Sequence, residues 1–293
     1  MKIRVIYIRQ ILIIAILIIG FHCEGYSQGI ELAKENPAGL FFGLNLGPSQ
    51  TQIINKGTQS VSKLLSTKKS TFSGSLEIGY FFSKYFGITS GIGLGSFKTQ
   101  LTLGTYQNKF NTTDSENEAY ERRVTGSGIM EDQNVSFLSI PVNLNIRIPI
   151  GKKAGFFIQP GISLSIPLSK GYKSSGTFTY KGYYSVYNVL LEDLPTFDFP
   201  TDLKSNTQGD LELKPMDFNF IASAGFDFMI TQKIQIALGV CYDRSLSTIS
   251  GYSSPDQFQL SSNVNKINSL MGGSSKTTVQ SMGLQIIFRY FLK

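Results

Sequence analysis

Histidine, cysteine and tryptophan are almost missing from this sequence of 293 residues, which has one histidine, two cysteines and no tryptophan. His22 and Cys23 lie within residues 1–28, where basic residues, an apolar run over residues 11–21 and a short polar stretch follow one another as in a secretory signal. A transmembrane anchor is the alternative, but the run is shorter than the roughly 20 apolar residues that span a bilayer. Bulky residues before Cys23 disfavour a lipoprotein cysteine. We expect a cleaved signal peptide over residues 1–28, which leaves no histidine and one cysteine, Cys241.

The missing histidine bears on catalysis, because histidine is the usual base that activates a serine or a water molecule. A site built from carboxylates alone stays open as an alternative. A single cysteine excludes an internal disulfide and a cysteine-cluster metal site. The acidic segment 192–202 could bind a hard cation such as Ca²⁺, although a solvated acidic loop is the simpler interpretation. We expect a non-enzymatic protein with no cofactor and no metal.

Charged residues make up only 16% of the chain, and the formal net charge is +7. No stripe of lysine and arginine accompanies this mild excess, so nucleic acid is not an expected partner. Glycine is abundant, aromatic residues make up 12%, and no linker or sustained amphipathic helix interrupts the sequence. These features predict one all-β domain over residues 38–293, after a short N-terminal segment at residues 29–37.

Apolar and polar residues alternate with a period of two, which is typical of β-strands with one apolar face. In the clearest segment, residues 138–148, Leu, Ile and Val occupy the even positions and mostly polar residues the odd ones. Eight segments alternate in this way: residues 39–46, 75–82, 86–101, 138–148, 156–168, 217–228, 234–243 and 281–292.

Short and long connections alternate between these segments. The short turns lie near residues 83–84, 150–153 and 231–232, and the predicted long loops cover residues 47–70, 102–134, 170–215 and 247–276. This order predicts an eight-stranded antiparallel up-and-down transmembrane β-barrel with four long extracellular loops and short periplasmic turns. A soluble barrel or sandwich with its apolar face inward is the alternative, but the narrow bore of eight strands suits small and polar side chains better.

Ionisable residues at odd positions of the predicted strands are expected to face the barrel interior. Unpaired charges in a narrow bore are costly, so we expect Arg147 and Arg289 to bridge carboxylates. The network would act as a polar plug or, alternatively, as a path for protons or small ions. Its members are Glu77, Arg147, Asp217, Asp227, Asp243 and Arg289.

Four tyrosines in the third predicted loop are candidates for partner binding, because amphipathic aromatic side chains are favoured at protein interfaces. Strands that extend above the membrane would explain the same alternation over residues 177–190. The tyrosines are Tyr180, Tyr183, Tyr184 and Tyr187.

Three stretches resemble a known family. They are Ser-Phe-Leu-Ser-Ile-Pro-Val-Asn-Leu at 136–144, Phe-Ile-Gln-Pro-Gly at 157–161 and Gly-Leu-Gln-Ile-Ile-Phe-Arg-Tyr-Phe at 283–291. Together with the export signal, they resemble the PorT-type outer-membrane β-barrel family of the Bacteroidota. The resemblance implies a protein of a Gram-negative outer membrane, and its eponymous member is implicated in protein secretion, a role that strand pattern alone does not transfer.

These observations predict an outer-membrane barrel that acts as a binding, assembly or structural component of the cell envelope. Its expected partners are outer-membrane lipid and, through the extracellular loops, other envelope proteins. A narrow porin-like channel for small solutes or ions is the alternative function.

Overall fold

The computed structural model describes residues 39–57, 64–252, 258–264 and 266–292. The predicted signal peptide and the segment at residues 29–37 lie outside the described residues. No helix in these four ranges is long and apolar enough to cross a membrane. The strands are β1 (Gly39–Gly57), β2 (Leu64–Phe81), β3 (Phe86–Thr113), β4 (Ala119–Ile150), β5 (Ala154–Tyr184), β6 (Val189–Leu191), β7 (Leu203–Asp210), β8 (Asp217–Met229), β9 (Ile234–Ser245) and β10 (Ser274–Phe291).

Eight of these strands close into an antiparallel barrel. The strand order is β4-β3-β2-β1-β10-β9-β8-β5, and pairing of β5 with β4 completes the ring. The first and last strands pair directly, for example Leu44 with Phe288. The short strands β6 and β7 pair with the upper part of β5, on the edge that pairs with β8 lower down. The predicted fold class is therefore confirmed, with two accessory strands that the sequence pattern did not resolve.

The two ends of the barrel differ in the length of their connections. At one end the predicted short turns are confirmed, at residues 82–85, 151–153 and 230–233. At the other end, the prediction of four long loops is wrong for most of the residues it covers, because these residues lie in strands. Strands β3 and β4 continue to a tight turn at residues 114–118, and β5 continues to Tyr184. The connection between β9 and β10 is also long, and its described residues, 246–252, 258–264 and 266–273, form no strand.

The outer face near the short turns is apolar. Leu76 and Ile92 are 67% and 60% exposed, and even-numbered apolar residues on all eight barrel strands share this face. An apolar band around a barrel is the surface that contacts lipid in outer-membrane barrels. Six aromatic residues lie on this face close to the short turns, as an interfacial girdle requires: Tyr80, Phe82, Phe86, Phe156, Phe288 and Tyr290.

Above the apolar band the pattern inverts. On β1, Leu44 is exposed within the band, whereas higher on the same strand Gln50 is exposed and Ile53 is fully buried inside. An apolar interior with a polar exterior is the arrangement of a barrel surrounded by water. The strand extensions are therefore built to stand in solvent, and this is why they remain strands rather than loops.

β-Bulges change which residues of β4 and β5 point inward. In the β4–β5 ladder the pairing shifts between Ser136 and Phe137, and again between Ser127 and Met130. Each extra residue moves the following side chains to the opposite face. On β5 the buried positions are consequently odd-numbered at Phe157 and even-numbered at Phe178.

Candidate functional site

An ion pair joins β4 to β8 inside the barrel near the short-turn end. The Arg147 guanidinium donates from Nε and Nη2 to the Asp227 carboxylate at 2.7–2.9 Å, and both residues are at least 97% buried. Arg147 is on β4 and Asp227 on β8, so the guanidinium must pass over β5. Gly155 of β5 makes this possible, because a Cβ atom there would lie 2.6 Å from Arg147 Nε.

The second arginine does not bridge a carboxylate, contrary to the prediction. Arg289 Nη1 donates to Gln235 Oε1 at 3.0 Å, and Gln235 Nε2 donates to Asp227 Oδ1 at 2.9 Å. The guanidinium carbon also lies 5.2 Å from the centroid of the Phe41 ring. Arg289 is thus held to the ion pair through an amide, and its Nε and Nη2 atoms have no hydrogen-bond partner among the described protein atoms.

The remaining predicted interior residues lie higher in the barrel. Glu77 and Asp243 line a polar chamber of about 180 Å³, where Glu77 Oε1 accepts a hydrogen bond from Asn45 at 3.3 Å. Asp217 accepts from the Ser247 hydroxyl at 2.7 Å, at the start of the long connection. The six predicted interior residues therefore fall into three groups rather than one network.

Apolar clusters lie on both sides of the chamber. Below it, four side chains at the short-turn end pack together: Phe41, Phe81, Met229 and Phe291. Above it, the rings of Phe97 and Phe137 meet edge to face, with centroids 5.5 Å apart. Both belong to a buried cluster that extends upward to Met271 of the long connection.

The described residues of the long connection, 246–252, 258–264 and 266–273, pack into the barrel at the end opposite the short turns and are called the plug segment below. Its residues Leu260, Ile267 and Leu270 are fully buried against Leu101 of β3 and Phe178 of β5. The Leu260 amide donates to the Tyr106 hydroxyl at 3.0 Å.

A buried glutamate anchors the plug segment to the barrel wall. Glu131 of β4 accepts hydrogen bonds from the Ser269 hydroxyl at 2.7 Å and the Leu270 amide at 2.9 Å. It also accepts from Gln133 at 2.7 Å and Ser174 at 2.5 Å. Burial raises the pKa of Glu131 above its usual value of 4.5, because loss of hydration disfavours the charged form more than these hydrogen bonds favour it.

Two of the four predicted partner-binding tyrosines face inward, so the prediction is wrong for them. Tyr180 is fully buried and its hydroxyl lies 2.7 Å from Ser261 of the plug segment. Tyr184 is 9% exposed and stacks on Tyr120. The bulges in the β4–β5 ladder place these even-numbered residues on the inner face. Tyr183 and Tyr187 lie on the outside, and Tyr187 is 58% exposed.

An open cleft lies at the far tip of the strand extension, between the β3–β4 turn at residues 114–118 and residues 189–199. It has a volume of about 600 Å³ and is called the tip cleft below. Aromatic rings form its wall: Tyr120 and Tyr184 stack with centroids 5.1 Å apart, and Phe199 meets Tyr120 edge-on at 5.7 Å.

Arg122 lies behind this wall and is 6% exposed. Its Nη1 atom donates to the Tyr120 hydroxyl at 3.2 Å and its Nη2 atom to the Asp198 carbonyl oxygen at 3.1 Å. Its Nε atom is buried without a hydrogen-bond partner among the described protein atoms. Arg122 is therefore a buried cation that touches neutral oxygens and leaves one donor unused.

Carboxylates surround the opening of the tip cleft. Asp114 accepts from the Tyr184 hydroxyl at 2.9 Å, and Glu118 accepts from the Tyr187 hydroxyl at 2.8 Å. Glu116 and Asp198 also line the cleft and are exposed. Burial and the neighbouring Asp114 carboxylate raise the pKa of Tyr184 to about 12, so this hydroxyl stays a donor at physiological pH.

The sequence matches the family described as "Outer membrane protein beta-barrel domain" over residues 27–251. The chain belongs to this family. The protein is accordingly a barrel of a Gram-negative outer membrane, and the apolar band is its lipid-facing surface. No curated protein matches it in sequence.

Solved outer-membrane barrels are similar to this chain at low identity and low TM-score. Neisserial surface protein A is 10% identical and OprG from Pseudomonas aeruginosa 12%, both with a TM-score of 0.35. The matches cover 86% and 89% of this chain, and 97% and 100% of those chains. The attachment invasion locus protein Ail of Yersinia pestis, in complex with the heparin analogue sucrose octasulfate, is 10% identical with a TM-score of 0.29, covering 86% of this chain and 99% of that one.

The sequence pattern did not identify Tyr120, Arg122 and Glu131, because it predicted a loop over residues 102–134. The alternation of Tyr120, Arg122 and Val124, all buried on one face, was the signal that could have identified them. In the described ranges, no group of three or more His, Cys, Asp or Glu residues could hold a metal ion.

Proposed function

We propose that this outer-membrane barrel is a closed, non-enzymatic binding protein that presents a recognition surface on its extracellular strand extension. The observation that carries the proposal is the filling of the barrel at both ends. The cluster of Phe41, Phe81, Met229 and Phe291 fills the short-turn end, and the plug segment fills the extracellular mouth. A barrel closed in this way gives solutes no continuous path and acts through its outer surface.

The strand extension supports a binding role because it is a rigid support for an exposed cleft. Binding sites are commonly concave and carry a few convergent polar groups on an apolar lining. The tip cleft has this composition: Tyr120 and Arg122 lie on β4, which the β4–β5 ladder holds in place, and Phe199 packs against Tyr120. A non-enzymatic role is supported by the absence of histidine after His22.

A narrow channel is the second candidate, and the polar chamber favours it. Glu77 Oε2, Asp243 Oδ1 and Gln285 Nε2 are buried there without a hydrogen-bond partner among the described residues, which is the environment of buried water. Water in the chamber would provide the middle of a path, and conduction would then require both apolar clusters to open.

Planar-bilayer recordings separate the two functions. We expect no conductance steps above the lipid background from the purified protein. Insertion is verified on the same membranes by retention of the protein after an alkaline wash, so that silence reports a closed barrel. Reproducible open steps that change in an Arg147→Gln variant would overturn the closed-barrel proposal and favour the channel.

We also propose that the chain belongs to the PorT-type branch of its family and works beside a protein secretion machine. The stretches at residues 136–144, 157–161 and 283–291 support this narrower assignment. Crosslinking in native envelopes followed by co-purification tests it. We expect secretion components among the crosslinked partners, and their absence would contradict the assignment.

A further inference from the structure

We propose that a collar of basic side chains around the barrel binds lipids whose headgroup carries a phosphate group. The collar consists of the first exposed cation above the apolar band on six of the eight barrel strands: Lys56, Lys68, Lys98, Lys170, Arg244 and Lys276. It is called the basic collar below. The inference goes beyond the proposed binding function and holds whether or not the barrel conducts.

The basic collar adjoins the lipid-facing surface. Lys170 lies two residues beyond Leu168 on β5, and Lys98 lies four residues beyond Leu94 on β3. Both leucines are 59% exposed, and the lysines are exposed on the same outer face. A long basic side chain can place its charge in the headgroup layer while its stem follows apolar surface. The collar is therefore positioned to meet headgroups of lipids whose acyl chains cover the band.

Two lysines of the basic collar face each other directly. Lys56 of β1 and Lys276 of β10 are partners in the ladder, and both are exposed. Like charges directly opposite on one face of a sheet repel each other. Neither lysine forms an ion pair within the part of the chain that the structure describes. An anion between the two ammonium groups would replace this repulsion with two attractions.

Arg244 places a charge on the apolar surface itself. Its ladder partner on β8 is Phe220, which is 42% exposed, and Leu246, two residues above, is 61% exposed. Among the described residues its guanidinium has no ion pair and no hydrogen bond. A charge beside lipid is costly unless it meets a partner. A lipid phosphate supplies that partner, and its oxygens match the geometry of a guanidinium.

The carboxylates near the basic collar do not neutralise it. Asp132 is already paired with Lys69 at 2.8 Å. Asp210 faces Gly171, beside Lys170, and offsets that one cation in part. The opposing pair Lys56 and Lys276 keeps its full charge. Complementary charge therefore favours an anionic partner at the collar.

The apolar band decides the source of the anion. The band continues into the basic collar, so the acyl chains of a lipid bound at the collar would contact exposed residues such as Leu94 and Leu168. A free phosphate ion has no such contact. The carboxylates of the tip cleft lie at the far end of the strand extension, so an anionic membrane surface attracts the collar without meeting them.

Native mass spectrometry of the full-length barrel in a neutral detergent tests the proposal by measuring the affinity for the first bound lipid. Dimyristoyl phosphatidic acid and dimyristoyl phosphatidylcholine share their acyl chains and differ in headgroup charge. We expect phosphatidic acid to bind at least about tenfold more tightly, since each Lys or Arg near an anionic lipid surface contributes about fivefold. High salt should weaken this preference. Inorganic phosphate, which has no acyl chain, should not displace the lipid.

Variants locate the binding. The double variant Lys56→Gln, Lys276→Gln should weaken phosphatidic acid binding about 25-fold, and Arg244→Gln about fivefold. Phosphatidylcholine binding should not change. The matched control is the double variant Lys109→Gln, Lys204→Gln, which removes the same charge from two exposed lysines of the strand extension outside the collar. It should leave both affinities within about twofold of wild type, because charges beyond a Debye length are screened.

Each outcome bears on a stated claim. Equal affinity for the two lipids, or equal losses in the collar and control double variants, would overturn the proposal. Displacement of phosphatidic acid by inorganic phosphate would show an anion site that does not need the acyl chains, and would overturn the lipid assignment. Open conductance steps would overturn the closed-barrel function alone, since the collar lies outside the barrel.

Discussion

The ion pair of Arg147 and Asp227 is a case in which removing one partner costs more than the pair contributes. Taking two charges out of water is expensive, and their attraction recovers this only with good geometry and further hydrogen bonds. Here the guanidinium is bidentate, and Gln235 donates a further hydrogen bond to the carboxylate. The pair fixes β4 to β8 across Gly155, so its role is to hold the barrel wall in one arrangement.

Asp227→Ala should therefore destabilise the barrel by about 3–5 kcal/mol, because it leaves Arg147 buried and unpaired. Urea unfolding in lipid vesicles measures the change. Asp210→Ala, at an exposed carboxylate, is the control and should stay within about 0.5 kcal/mol of wild type. The double variant Arg147→Met, Asp227→Leu should recover most of the loss. Equal costs for the two alanine variants would contradict this account.

The plug segment is an element whose contacts with the barrel wall include one buried carboxyl group. Glu131 joins β4 to the Ser269 hydroxyl and the Leu270 amide, and burial raises its pKa above 4.5. The closed plug consequently holds the proton more tightly than the open one. Below pH 4.5 Glu131 is protonated in both states, so the stability of the closed plug does not change with pH. As pH rises from 4.5 through the raised pKa, the closed plug becomes less stable relative to the open one.

Hydrogen-exchange protection at the Leu270 amide should accordingly be greater at pH 5 than at pH 8, after correction for intrinsic exchange. Glu131→Gln should remove this pH dependence, because the glutamine side chain does not titrate. Asp132→Asn is the matched control, since Asp132 is the next residue, faces outward and pairs with Lys69 at 2.8 Å. Protection that rises with pH in the wild type would refute the sign argued here.

The described chain joins two parts of opposite polarity, and strands β1 to β5 and β10 run through both. In the lower part Leu144 is exposed and Asn145 buried, and in the upper part Gln50 is exposed and Ile53 buried. Both parts keep apolar residues away from water. Lipid surrounds the lower part, whose outer face is apolar, and water surrounds the upper part, whose interior is apolar. The change of polarity along the strands therefore marks the outer edge of the membrane.

Leu144→Arg should destabilise the protein by about 2–4 kcal/mol in a bilayer, because Leu144 lies midway along the apolar band on β4. Leu190→Arg is the control: Leu190 is also exposed but lies on β6 of the extension, and its substitution should cost less than about 0.5 kcal/mol. Urea unfolding in vesicles gives both values. Equal costs would mean that the band does not face lipid.

The sequence alone determined the lower barrel. A period of two needs only local information, and an eight-stranded barrel leaves one way to orient rows such as Leu138, Val142 and Ile148. The inward positions of Arg147 and Asp227 followed from the same parity. The hydrogen-bond partner of Arg289 did not follow from this parity. Arg289 donates to Gln235 rather than to a carboxylate because of the register of three strands.

The tertiary structure decided the upper barrel and the tip cleft. Bulges in the β4–β5 ladder reverse parity, so the inward position of Tyr180 depends on how β4 and β5 align and not on its own neighbours in sequence. A hydrogen bond between the plug segment and the barrel wall likewise joins Leu270 to Glu131 across 139 positions of the chain. Contacts of this kind depend on the assembled barrel, because a periodic pattern carries no information about which strand completes a distant hydrogen bond.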